Sequence, residues 1–247
     1  MSGDFTLDQK RYLEGFAAGL GAARPRRASV KPTGPDAIHF EAQERVTNSG
    51  GKLCDQEKWK REEHPFDAYP RLVAQAQGNE PPKPPDNFRW RYYGLFYVAP
   101  AQNSYMCRLR IPNGALAHWQ FAAVANLAEN FGGGYLHVTT RANIQIREID
   151  PKNAVKIFEG VQDAGLWSKG SGADNIRNIT GTPTAGVDPQ ELIDTRPFAR
   201  AMHHHILNDR SLYGLPRKFN IAFDGAGRVG ALEDTNDIGF QAVEALA

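Results

Sequence analysis

Hydrophobic and polar positions alternate in two rhythms between residues 105 and 165. Tyr105, Cys107, Leu109 and Ile111 alternate with Met106, Arg108 and Arg110, which predicts a strand that ends at Pro112-Asn113-Gly114 and carries both arginines on one face. Leu116, Trp119, Ala123, Leu127 and Phe131 then follow helical spacing as far as the turn Gly132-Gly133-Gly134. The period of two returns in Leu136, Val138 and Thr140 against His137, Thr139 and Arg141. It continues in Ile144 and Ile146 against Gln145 and Arg147, with Ala142-Asn143 as the bend between the two runs. Asp150 as cap and Pro151 at the first helical position predict a helix through Val155, Phe158 and Val161 to Gly165. A β-α-β-β-α order is the core of a ferredoxin-like split βαβ unit.

The flanking segments read differently. After Ser168 comes a Gly- and Asn-rich stretch from Gly170 to Gly186, a helix from about Pro197 to Leu207, and a strand from Arg217 to Phe223 that turns at Asp224-Gly225. On that strand Lys218, Asn220 and Ala222 share one face. Before Phe88, a capping box of Thr6 and Gln9 opens a short helix that stops at Gly21. The proline-bearing runs Arg24 to Asp36 and Glu80 to Pro85 read as linkers or surface straps. Lys52 to Glu63 reads as a second helix whose mixed charges form a solvated face. The expected architecture is α+β. A largely irregular N-terminal extension (1–87) precedes a ferredoxin-like unit (88–166) and a partial α/β unit (167–247).

Composition narrows the function. A chain of 247 residues with 41% hydrophobic content has the material for a real core. Lys+Arg 29 against Asp+Glu 28 leaves a net charge of +1, so any anion site must be built locally. Cys54 and Cys107 are too few for a disulfide scaffold and form no CxxC pair. No stretch is long and apolar enough to span a bilayer, and the N-terminus has no signal-peptide pattern. The sequence therefore reads as soluble and cytoplasmic, with no membrane partner. Consecutive helical residues diverge by about 100°, so His203-His204-His205 cannot easily chelate one ion, and no metal site is expected.

Arg108 and Arg110, the face of His137, Thr139 and Arg141, Arg177 in Asp174-Asn175-Ile176-Arg177-Asn178, and Lys218 beside Asn220 all place cations on or near regular structure. Arginine offers a permanently charged bidentate fork and lysine a compact point charge, so together they suit a polyanion. Spacing alone does not show that they converge.

Four ordered segments carry a resemblance: Arg108-Leu109-Arg110-Ile111-Pro112-Asn113-Gly114, Leu136 through Gln145, Asn175-Ile176-Arg177-Asn178, and Leu215 through Asn220. From about Phe88 to Phe240 the chain resembles the sirohaem-dependent nitrite and sulfite reductases. The resemblance implies an enzyme in which sirohaem iron binds the substrate anion and receives electrons through a [4Fe-4S] cluster. It implies that Arg141 clamps a sirohaem carboxylate, with His137, Arg110, Thr139 and Asn143 around the cofactor. Arg108, Arg177 and Lys218 then form the cationic shell over the anion. His137 stands where sulfite-reducing relatives have arginine. Asn220 stands where they have a second lysine, which favours nitrite by charge matching.

Cys54 and Cys107 match none of the family's cluster ligands. The resemblance therefore implies an N-terminal half, with the cluster expected from a C-terminal half in the same or a separate chain. The electron donor would be ferredoxin or a flavoprotein. Two other readings from the same resemblance are a non-catalytic tetrapyrrole scaffold and a precorrin-modifying relative of cobalamin synthesis. An RNA-binding sheet shares the ferredoxin-like plan, but the aromatic run it needs is missing and no nucleic-acid partner is expected.

Overall fold

The computed structural model describes residues 33–98 and 102–245. The helix expected at residues 6–21 lies outside them. Where the sequence reads as largely irregular, the chain is helical: α1 (Ala37–Asn48), α3 (Tyr69–Gln77) and α4 (Pro84–Trp90) flank the expected second helix, α2 (Asp55–Glu62). Pro84 opens α4 because the first-turn N–H groups have no helical partner to lose, so the expected proline strap ends in a helix. Helices α1, α2 and α3 bury few positions each, Leu72 and Ala76 in α3 for example, which is too few to show a period in sequence. Lys60, on the helix read as a solvated face, is only 4% exposed.

Aromatic side chains seat this extension on the rest. Phe66 packs edge-on against Tyr92, Tyr93 and Tyr213 with centroids 5.8, 5.6 and 4.8 Å away. Trp90 and Tyr92 are fully buried. Each such side chain removed from water contributes about 1.5–3 kcal/mol.

Strand β1 (Leu95–Val98) forms a hairpin with β2 (Ser104–Arg108). Helix α5 (His118–Phe131) leads to β3 (Leu136–Thr139) and β4 (Asn143–Ile149), and α6 (Ala154–Asp163) follows a short 3-10 turn at Pro151. The sheet is antiparallel in the order β1-β2-β4-β3, so the β-α-β-β-α reading holds. Cys107, Leu109, Ile144 and Ile146 fill the core on one face. The stripe on α5 differs from expectation: Val124 and Ala128 are buried, while Trp119 is 52% exposed. Gly160 explains the close approach of α6, because a Cβ there would meet Leu127 Cδ2 at 2.6 Å.

The remaining elements are β5 (Thr180–Gly181), α7 (Arg196–Asn208), β6 (Ile221–Asp224) and β7 (Ile238–Gln241), with β5-β6-β7 in a parallel sheet. The strand expected from Arg217 begins at Ile221. Upstream of it only Phe219 makes a bridge, to Ile176. Strands β5 and β7 were not legible, one being two residues long and the other containing Gly239 and following an acidic turn.

His203 lies on the buried side of α7, edge-on to Trp167 at 5.3 Å, and neither ring nitrogen has a hydrogen-bond partner among the described residues. Burial first, then the charges of Arg110 and His204, push its pKa down to about 3 from 6.5. A depressed histidine pKa gives stability that is complete above the unfolded value and is lost as pH falls from 6.5 towards 3. Urea unfolding at about pH 5 should therefore show roughly 2 kcal/mol of loss relative to neutral pH that His203→Leu does not share. Parallel losses in both proteins would contradict a neutral buried imidazole.

Candidate functional site: a cationic cleft

The outer face of the sheet is built from cross-strand pairs. Arg108 on β2 lies opposite Gln145 on β4, which lies opposite His137 on β3, and Asn143 lies opposite Thr139. Paired residues of an antiparallel sheet share a face, so this face is polar wherever the opposite face is core. Two loops close over it, the Gly- and Asn-rich segment after Ser168 and the extended residues before β6. A cleft of about 370 Å³ remains between them.

Arg108, Arg141, Arg177 and Lys218 all line this cleft, together with Thr139, Asn143 and Asn220, and no carboxylate does. None of the four cations forms a salt bridge among the described residues. Elsewhere Arg71, Arg89, Arg196, Arg210 and Arg217 all have acidic partners.

Each guanidinium is held by neutral groups. Arg177 donates to the carbonyls of Ser171 and Ala173, both at 2.7 Å. Arg141 donates to Asn178 O at 2.9 Å and Asn236 Oδ1 at 3.1 Å, while its Nε is buried without a partner. Arg108 stands over the Phe96 ring, 4.7 Å from its centroid. With the Gln145 amide oxygen turned towards it, Arg108 donates from Nε at 3.2 Å and Nη2 at 3.3 Å. Gly94, at φ +80°, lets this hairpin meet the covering loop, since a Cβ there would lie 2.4 Å from Ser168 O.

The electrostatic cost of this convergence falls on Arg177. Burial, followed by repulsion from Arg108 that Asp174 only partly offsets, and by Arg110 and Arg141, pushes its pKa down to about 10 from 12.5. The guanidinium stays charged at neutral pH, and a bound anion would offset the repulsion it feels from Arg108, Arg110 and Arg141. Burial and then Arg147 lower Arg108 as well.

Two expected members do not face the cleft. Arg110 is fully buried and donates to Ile176 O (2.8 Å), Gly170 O (3.2 Å) and Arg177 O (3.4 Å), because the loop that makes the cleft covers it completely. It fastens the loop that carries Arg177. His137 is exposed on edge strand β3, beyond the reach of the covering loops, and packs against Tyr135 at 5.2 Å. Asn143 lines the cleft but uses its amide on Leu109 O and on its neighbour's N–H.

Gln145, Ser171 and Asn178 also line the cleft, and Arg147 lies near enough to act on Arg108, though none of the four is among the site residues expected from the sequence. Gln145 and Arg147 were within reach of the period-two pattern, which puts both on the Arg108 face. Asn178, whose Nδ2 joins Ile111 O at 2.7 Å to Arg141 O at 3.0 Å, was not, since those contacts cross the fold.

The donor set fits a ligand bearing several carboxylates, such as sirohaem: fixed forks without acid partners, and the buried unpartnered Nε of Arg141. It does not fit an iron–sulfur cluster. Cys107 is buried in the core with its thiol pushed up to about 12 by burial, and Cys54 is exposed at the start of α2. Among the described residues no group of three His, Cys, Asp or Glu could hold a metal ion, and no helix is long and apolar enough to cross a membrane.

Comparison with known proteins bears on the family. The family model for the nitrite/sulfite reductase ferredoxin-like half domain matches residues 99–164, and that for the nitrite and sulphite reductase 4Fe-4S domain matches 172–246. The ferredoxin–nitrite reductase of Leptolyngbya laminosa is 43% identical over 157 residues, covering 62% of this chain and 31% of the relative. The assimilatory ferredoxin-dependent nitrite reductase of Haloferax mediterranei is 34% identical over 164 residues, with 62% and 28% covered. The chain thus spans about a third of the length of the curated relatives it matches. The structure of the Mycobacterium tuberculosis NirA protein superposes with a TM-score of 0.66 at 21% identity, over 72% of this chain and 36% of that one, which shows a shared fold. With both domain models matched in order, and the motifs of each meeting at one cationic cleft, the chain belongs to the nitrite and sulfite reductase family.

Proposed function

We propose that this chain supplies the tetrapyrrole- and anion-binding part of a sirohaem nitrite reductase. The observation that carries the reading is the convergence of Arg108, Arg141, Arg177 and Lys218 on one cleft with no carboxylate among them. Arg141, with Thr139 beside it, would hold cofactor carboxylates on the β3–β4 side. Arg108, Arg177 and Lys218 would hold the substrate anion. Sirohaem, when bound, supplies the iron that takes up the anion and passes it electrons.

The chain's own contribution is charge and protons. Fixed guanidinium forks in a partly dry cleft favour negative charge on the substrate oxygens without reorganising. Those oxygens leave as water and need protons. An ammonium can give one up where a guanidinium cannot, so Lys218 is the proton-delivering residue of the set. Among the described residues it makes no hydrogen bond to another side chain or carbonyl and is exposed at the cleft wall.

Cluster thiolates would come from a second half, in the same or a separate polypeptide, and electrons from ferredoxin, the donor in the names of the relatives. Apolar side chains on β7 and beyond it are open to such a half: Ile238, Phe240 and Val243 are 40%, 43% and 78% exposed.

Asn220 faces the cleft and holds the choice of anion, since a neutral amide there suits a monoanion. In the complete, cofactor-loaded enzyme Asn220→Lys should raise the ratio of sulfite to nitrite turnover by about tenfold. Lys218→Ala should cut nitrite turnover far more than it lowers sirohaem content. An unchanged ratio removes Asn220 as selector, and equal loss of turnover and sirohaem in Lys218→Ala would reassign that lysine to cofactor binding.

A further inference from the structure

Residues 36–67 lie outside both family-model matches, yet they contact both of the loops that close over the cleft. The centre of this contact is Lys60 of α2, whose ammonium is almost wholly buried. It donates to Leu215 O at 2.9 Å and lies 3.7 Å from the Asp174 carboxylate, with Glu57 of its own helix as a third partner. Leu215 is in the segment that runs into Lys218, and Asp174 is in the segment that runs into Arg177. One buried charge therefore ties together the two loops that bring the anion-holding cations to the cleft.

The neighbouring contacts run the same way. Gln43 of α1 fixes Glu57 through a 2.8 Å hydrogen bond. His64 meets Tyr213 O at 3.0 Å and His39 meets Ser211 O at 2.6 Å. Arg210 pairs with Asp36 at 2.8 Å and Asp67 at 2.7 Å. The 210–215 segment is thus pinned to the extension at several points, and Lys60 alone among these also reaches the 174–177 loop.

We propose that the N-terminal extension is an intramolecular clamp and that Lys60 is a positioning residue that sets the spacing of Arg177 and Lys218, and through it the affinity of the cleft for anions. A buried charge with partners on three segments has one low-energy geometry, which is why such a group can fix a register at a distance. The proposal rests on the reading of the cleft as an anion site.

The test uses the full chain, hydrogen exchange, and the metal-free octacarboxylate uroporphyrin as probe. Lys60→Met should speed exchange by about tenfold at amides in 171–178 and 215–220 and leave β2 and β4 unchanged. It should weaken uroporphyrin binding about tenfold, Lys60→Arg should recover most of that loss, and in a Lys218→Ala background the effect should shrink below about threefold. Additive effects, or faster exchange confined to α2, would overturn the clamp. Should Lys60→Met fail to fold, Asp174→Asn should speed exchange in 171–178 alone, and no change there would also overturn it. A wild-type chain that ignores uroporphyrin would count against the cleft as an anion site, while the exchange result would still decide the clamp.

Discussion

Arg110→Met destabilises the chain by about 3 kcal/mol, whereas Arg108→Met changes stability by less than about 1 kcal/mol. The two arginines are two positions apart and chemically identical, so the difference comes only from what covers them. Arg110 is fully buried and its guanidinium is spent on three carbonyls of the loop between Gly170 and Arg177. Methionine fills much of the same volume but leaves those carbonyls without donors, two of them buried away from water, at roughly 1–3 kcal/mol for each buried group left unsatisfied. Relief of the burial cost of the charge offsets part of this, which keeps the expected net loss near the middle of the range. Arg108 is half-buried and repelled by its cationic neighbours, so removing it costs a contact with Gln145 and relieves strain on the charged state of Arg177. Urea unfolding of the two variants checks this directly, and equal midpoints would show that Arg110 does not fasten the loop.

Arg177→Met has the largest expected effect on binding, about a 100-fold loss of affinity for a carboxylated tetrapyrrole. Two contributions add. The central charge of the cleft disappears, and the loop loses the fork that holds it to Ser171 O and Ala173 O. Arg177→Lys separates them, because it keeps the charge and loses the fork, and should weaken binding by only about tenfold. Calorimetric titration of the three proteins with uroporphyrin decides the matter. A lysine variant as weak as the methionine variant would make the loop geometry, and not the charge, the controlling factor.

How much of this was legible follows from which contacts are local. The period of two placed Arg108 outside the core and Cys107 and Leu109 inside it, and the helix–strand order of the ferredoxin-like unit followed from the same patterns. The convergence of Arg141, Arg177 and Lys218 was not in any periodicity and rested on the order of four motifs. Arg110 and His137 stay out of the cleft, and the pattern could not show it, because alternation tells which side of a strand a residue leaves, and not whether another segment covers that side. Lys60 was misread for a related reason: a helix of mixed charge looks solvated until Asp174 and Leu215 are brought against it. The extension looked irregular because its helices are short and bury only a few side chains each.

The most direct test of the cationic cleft is a spectroscopic titration of the wild-type chain with uroporphyrin at low and high ionic strength, repeated with Arg141→Met. Saturable one-to-one binding is expected, weakened roughly tenfold by salt because the cleft is partly open to solvent, and weakened again in the variant. Binding that ignores both salt and the loss of Arg141, or no saturable binding at all, would contradict the assignment of this cleft to a carboxylated tetrapyrrole.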